Sequence, residues 1–474
     1  MKWRYTVAAA LVFAALLGWV LTQEQGRVAE EGEAFGFDAE TATRLEVQRA
    51  GEDALVLEKR DGDWDLVSPI QGLADPEQVM RMIKAVAELK PNSSREGVDL
   101  TSADFGLAEP DLVAILQCGA KSAQISLGSD TPIGASRYAK IEGRDKLYIV
   151  PAALRTTLSK APDELREKKL ARFETDDVHG LTVQTSEGRV AATRVGEGDK
   201  PRWRLTEPLD TRGDEWNIKQ LINKIKDMKA ESFLTDETSD EQLGLAQPQV
   251  SVTLNMTDGR ELTVSVGKQS KRVIGTGTTE ADVLFVRSSE RSEILIVKAD
   301  ALDALTKNEF DLRDKSVVQI DRDDIQRLKV ERKRGLNFSV GRRPDGWIVE
   351  KPTVADASRS KIDNLLWDVE DLSAKSYVSE DASDADLRAY GLLVPSAALT
   401  VTAGGGEPIK IYIGDETEDG DYYCMTNQSK QVVTISKFLV DDLPDTEEDL
   451  KASASDMTPE APFQPGEMPT PPPY

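Results

Sequence analysis

The chain has 474 residues but only one histidine, His179, and two cysteines, Cys118 and Cys424. A zinc site needs several such ligands converging, and a catalytic imidazole needs a positioned partner. The sequence lacks the material for either. Cations are also scarce: 59 Lys and Arg face 84 Asp and Glu, a net charge of -25. Such a surface repels nucleic acid and anionic lipid. Phosphate-binding signatures are missing too. Gly404-Gly405-Gly406 lies between two extended runs with no Lys-Ser/Thr and no helix after it, so it reads as a turn. The nearest approach to a calcium loop, Asp415 to Asp421 (DETEDGD), lacks the D-x-D-x-D-G spacing and reads as a solvated hairpin loop. Paired carboxylates at Asp176-Asp177 and Asp323-Asp324 have no companions that would mark a site. No residue is assigned a catalytic, cofactor-binding or metal role, and the chain is expected not to be an enzyme.

What the sequence does have is one skeleton written three times. Each copy opens with a run of equal length, Phe37 to Val47, Phe173 to Val183 and Ile320 to Val330. Each reaches a tryptophan followed five residues later by proline: Trp64/Pro69, Trp203/Pro208 and Trp347/Pro352. Each then carries Gly-Leu-x-x-Pro, at Gly106 to Pro110, Gly244 to Pro248 and Gly391 to Pro395. A strand ending in glycine follows, at Gly128, Gly267 and Gly414. The tryptophans lie 139 and 144 residues apart, the size of a domain rather than of a solenoid repeat. Cys118 and Cys424 fall at non-equivalent places in the first and third copies, so both read as buried small hydrophobes.

Within a copy the pattern is α+β. The opening strand leads through an Asp-Gly turn (Asp61-Gly62, Asp345-Gly346) into the strand of the tryptophan. A helix follows, with Asp75-Pro76 as cap and first turn in copy one. Its apolar stripe is Val79, Met82, Ile83, Val86 and Leu89. The matching stripes are Ile218, Leu221, Ile222, Ile225 and Met228, then Ile362, Leu365, Leu366, Val369 and Leu372. One-sided stripes predict packing on a sheet face. Gly-Leu-x-x-Pro reads as a stop: Gly ends a short helix in the left-handed region, Leu plugs the core and Pro starts a strand. A four-stranded antiparallel meander comes next. Short closing helices are predicted over 152–159 and 163–170 in copy one, and over 299–307 and 312–317 in copy two. Strands grouped around one helix, without βαβ alternation, define the class.

The ends differ from the body. No charge falls in the 19 residues between Arg4 and Glu24, long enough to span a bilayer. Lys2 and Arg4 precede this run and acidic residues follow, which keeps the N-terminus cytoplasmic and exports the rest. Trp19-Val20-Leu21 occupies the place of a cleavage site, so an uncleaved anchor is expected. Residues 441–474 carry nine acidic side chains and one lysine. From Pro459 the tail holds seven prolines and should be disordered. The domain reading is therefore a transmembrane anchor at residues 1–23 and a linker at 24–36. Three α+β copies follow at 37–171, 172–317 and 318–450, then an acidic, Pro-rich tail at 451–474.

The ordered set of motifs resembles the bacterial family known as domain of unknown function 4340. Its closing Leu-Arg-x-Lys stands at Leu165-Arg166-Glu167-Lys168 and Leu312-Arg313-Asp314-Lys315. The third copy departs: Asp441 to Leu450 holds no such motif, so the sequence does not secure its closing helix. The resemblance implies a membrane-anchored extracytoplasmic protein of the kind found beside ABC-type export systems, including those of gliding motility. It implies no catalytic residues. The expectation is an accessory or scaffold protein, single-pass in the inner membrane through residues 5–23, with its body in the periplasm or outside and membrane proteins as partners. The alternative is a solute- or glycan-binding module presenting Tyr138, Tyr422, Tyr423 and Phe285. No cofactor is expected.

Overall fold

A computed structural model describes residues 32, 34–132, 134–196, 201–274 and 279–452. The expected anchor at 5–23, and the tail from residue 453 on, lie outside the described residues. Among the described residues no helix is long and apolar enough to cross a membrane.

Copy one begins with a 3-10 turn at Ala39–Thr41, capped by the Asp38 side chain, rather than directly as a strand. The strands are β1 (Ala42–Arg49), β2 (Leu55–Arg60), β3 (Asp63–Ser68), β4 (Gly72–Leu73), β5 (Ser93–Glu96), β6 (Leu112–Cys118), β7 (Lys121–Asp130), β8 (Ser136–Ile141) and β9 (Lys146–Pro151). They form one sheet in the order β4-β3-β2-β1-β6-β7-β8-β9-β5, and the other two copies repeat that order. Every pairing described is antiparallel. The sequence predicted two separate meanders. The structure joins them through β1 and β6, with Leu45 opposite Leu116 and Val47 opposite Ala114. It also adds β4 and β5 at the two edges, strands too short and polar to show a period.

Helix α1 (Pro76–Ala87) starts where the cap predicts, with Asp75 accepting from the Glu77 and Gln78 backbone. Its stripe packs on Leu45, Leu57, Trp64, Leu116 and Ile125 in one apolar cluster. Copy three builds the same core from Ile362, Leu365, Leu366 and Val369 against Leu328, Trp347, Leu399 and Ile411. Each such side chain contributes about 1.5–3 kcal/mol on burial. All three tryptophans are buried. The proline five residues on follows a cis peptide bond in every copy and stands just after the strand's last residue.

The closing elements of copy one are α2 (Ala153–Leu158) and α3 (Pro162–Leu165). In copy two the helix predicted over 312–317 is corrected to Glu309–Leu312, because Arg313 is already extended. Copy three does have a closing helix, Glu447–Leu450. Lys451 and Ala452, counted with the tail from sequence, are bonded to this copy at Ala357 and Asp356. The described residues pack as two compact units, within Met1–Val178 with Ile222–Thr306, and within His179–Leu221 with Lys307–Tyr474.

Candidate functional site

The closing segment of each copy is where its most specialised chemistry gathers. In copy one Leu165 is fully buried, and its carbonyl accepts from Asp75 N at 2.7 Å. Arg166 then bridges Ala74, and Glu167 N donates to Leu73 O at 2.8 Å. The same extended run moves on to the next copy: Lys169 bridges Lys229, and Ala230 N donates to Lys168 O at 2.7 Å. One short strand thus closes its own copy and opens the edge of the following one. The second closing run repeats this, with Asp214 N on Leu312 O, and Ala374 N on Lys315 O, both at 2.8 Å.

The motif arginine locks each joint. In the first joint, which lies within the first unit, the Arg166 guanidinium stacks 3.6 Å from the Phe233 ring centroid. Arg291 reaches back from copy two, and its side chain donates to Glu167 O at 2.8 Å and Lys169 O at 2.7 Å. Its guanidinium also lies 5.3 Å from the Phe233 ring. Glu293 serves both arginines, at 3.4 Å from Arg291 and 3.6 Å from Arg166. Burial pushes the Glu293 carboxyl up, but the arginines more than offset this and hold it below the ordinary range. A Cβ at Gly72 would meet the Glu293 carboxylate, which would have to shift. A cleft of about 420 Å³ opens alongside, lined by Arg60, Asp65, Gln71, Gly72, Arg291 and Glu293.

In the second joint, within the second unit, Arg313 stacks 3.5 Å from the Tyr377 ring centroid. It also forks onto Glu380 at 2.6 and 2.8 Å and donates to Glu309 at 2.9 Å. The hydrogen bond from Arg313 holds Glu380 below the usual carboxylate range. Tyr377 donates its hydroxyl to Asp314 O at 2.9 Å, and burial pushes its pKa up to about 12. Strand register makes Phe233, Tyr377 and Ser94 equivalent, each next to the strand that closes its sheet. The first copy therefore has serine where the other two receive an arginine. In the third copy Lys451 takes the arginine's place, and no further copy follows among the described residues. Buried Leu450 closes the third copy as the motif leucine closes the others, whereas Arg166 and Arg313 reach a ring of the following copy.

Gly-Leu-x-x-Pro is a stop, as its residues predict. Gly106, Gly244 and Gly391 have φ of 62°, 73° and 68°. The following leucine is buried in every copy. It plugs a small cluster on the sheet face opposite the long helix, not the main core: Leu245 meets Phe285 and Ile296, and Leu392 meets Val432. The strand-end glycines complete the fit. A Cβ on Gly128, Gly267 or Gly414 would collide with the carbonyl of Phe105, Leu243 or Tyr390, each just before the turn glycine. The candidate platform aromatics serve this packing. Tyr138 meets Phe105 edge-on at 4.9 Å, and Tyr423 stacks on Tyr390 at 4.6 Å. Phe285 is buried. Tyr422 points to the other face and packs on the main core of copy three.

The remaining candidates stay apart. His179 is exposed on the opening strand of copy two. Cys118 and Cys424 are buried free thiols, and burial pushes the Cys424 thiol up to about 12. The 415–421 loop closes on itself, with Thr417 N donating to Asp421 O and Asp421 N donating to the Thr417 hydroxyl, and the Asp421 carboxylate pairs with Lys375. Asp176-Asp177 and Asp323-Asp324 form the 3-10 turns that open their copies. Among the described residues no group of His, Cys, Asp and Glu is arranged to hold a metal.

The comparisons agree with the triplication. The family described as Domain of unknown function (DUF4340) matches residues 64–202, 203–378 and 347–454, each match starting at one of the three tryptophans. The chain belongs to that family. No curated protein matches it.

Proposed function

We propose that the protein is a membrane-anchored extracytoplasmic accessory or scaffold protein that acts by binding protein partners of a transport or envelope assembly. The observation that carries this reading is the pair of dedicated joints. Arg166 on Phe233 and Arg313 on Tyr377 tie each copy to the following one, with buried or half-buried charge that a single soluble domain has no need of. A chain that spends such groups on holding copies together benefits when a partner reads several copies at once. The family resemblance points the same way, towards components that accompany ABC-type export or gliding-motility machinery. In-membrane crosslinking followed by purification should recover integral membrane partners with the full chain. Arg166→Ala/Arg313→Ala should reduce that recovery while each copy stays folded. Recovery of the protein alone would sink the reading.

A further inference from the structure

The three copies share a fold but not a surface. On the sheet face away from the long helix, register aligns Arg44, Glu46, Glu58, Arg60 and Asp65 of copy one with Arg327, Lys329, Gly341, Arg343 and Ile348 of copy three. Three carboxylates of the first copy are thus replaced by a lysine, a glycine and an isoleucine. In copy two four of these places hold Gly180, Thr182, Thr193 and Arg204. Over these places the charge therefore rises along the chain, from two arginines against three carboxylates in copy one, through one arginine in copy two, to three cations with no carboxylate in copy three.

In copy three it forms a cleft of about 640 Å³. Arg327, Lys329, Arg342, Arg343 and Lys351 line it with one carboxylate, Glu350. Glu350 is held by Arg327 at 2.8 Å, Lys329 pairs with Glu331, and Arg342 with Asp323. Arg343 and Lys351 have no ion pair among the described residues. Ile348 lies in the floor, and Val354, 69% exposed, stands at the rim. A protein of net charge -25 gains nothing in solubility from collecting cations in one cleft.

We propose that this face of copy three is a docking site for a short acidic segment of a protein partner, one that also offers an apolar side chain to Val354 and Ile348. Charge complementarity selects an anion. The acidic remainder of the chain selects a short one. An extended polyanion such as a bilayer surface or a nucleic acid would reach past the cleft and meet a chain of net charge -25, which repels it. The inference rests on the protein-docking reading above and gives the partner a chemistry.

The test uses the purified full-length chain and a fluorescent decapeptide alternating glutamate and leucine, followed by anisotropy at low and at physiological salt. Binding should weaken with salt. It should fall at least about tenfold in Arg343→Glu/Lys351→Glu, two exposed positions that leave the fold intact. A glutamine-for-glutamate peptide should bind no better than that variant. Equal affinity in the variant, or unimpaired binding of the glutamine peptide, would overturn the proposal. So would stronger capture by phosphatidylglycerol vesicles through the same two residues. This outcome is separable from the broader reading: loss of peptide binding with membrane partners still recovered removes the cleft, not the scaffold.

Discussion

The inside of a copy and the joint between copies obey different rules. Inside, all three copies repeat the same contacts: a buried tryptophan under the long helix, a left-handed glycine, and a strand glycine pressed against a carbonyl. At the joints the backbone bonds recur, but of the arginine side-chain contacts only the stack on an aromatic ring does. Arg166 meets its carboxylates at 3.6 and 3.7 Å, and its buried Nε has no partner. Arg313 is forked onto Glu380. The second arginine of the first joint, Arg291, has no counterpart in the second, where Ser429 lines a small gap instead. Close packing tolerates one solution to filling a core, while a joint needs only enough attraction to hold two folded bodies.

The largest expected effect is inside. Trp64→Ala, Trp203→Ala and Trp347→Ala should each cost about 3–5 kcal/mol, with similar values in all three copies. Denaturant unfolding with hydrogen exchange resolved by copy would measure it. A Trp203 variant losing under 1 kcal/mol would break the equivalence of the copies.

The joints should come next, and unequally. Arg313→Ala should cost about 2–4 kcal/mol, since it strips a forked pair and a stacked ring. Arg166→Ala should cost less, about 1–2 kcal/mol, because removing an under-bonded buried charge also removes its desolvation penalty. Exchange of the Ala374 and Ala230 amides reports the two joints separately. The reverse order would show that the geometry misjudges them.

A smaller difference concerns the hydroxyl of Tyr377. Tyr377→Phe should cost about 0.5–1.5 kcal/mol, the worth of one hydrogen bond. It would leave the second joint with a phenyl ring like that of the first. Ala374 exchange unchanged by this variant would mean that the bond to Asp314 O contributes nothing.

Acid should also loosen the second joint. Glu380 is held below its ordinary value of 4.5, so its contribution is present above that pH and fades as the pH falls below it. Tyr377, raised from 10 to about 12, works in the opposite sense: its contribution is present below pH 10 and is lost as the pH climbs from 10 towards 12. Exchange at Ala374 across both ranges should show a plateau between two losses. Smallest of all, His179→Ala should change stability by no more than about 0.5 kcal/mol, as for any exposed side chain.

Much of the copy was legible because its signals are local. Asp75-Pro76 fixes a helix start through hydrogen bonds two and three residues away. Gly106 ends a short turn through its own φ. Alternation along Leu112 to Leu116 names the buried face. The joint was not legible for the opposite reason. Leu-Arg-x-Lys could be seen, but Phe233 is 67 residues from Arg166 and belongs to another copy. One signal was available: the arginine occurs in the two copies that precede another and is missing from the last.

The sequence by itself determined the number of copies, the class of each and the position of its helix, because periodicity, caps and turns act over a few residues. Tertiary structure alone decided that two meanders become one nine-stranded sheet, since the β1–β6 pairing joins strands whose facing residues lie about seventy apart. It also decided that the closing leucine packs in its own copy while the neighbouring arginine stacks on a ring of the next. Those choices depend on which edges and rings the folded chain brings within a few ångströms, and no local rule contains that distance.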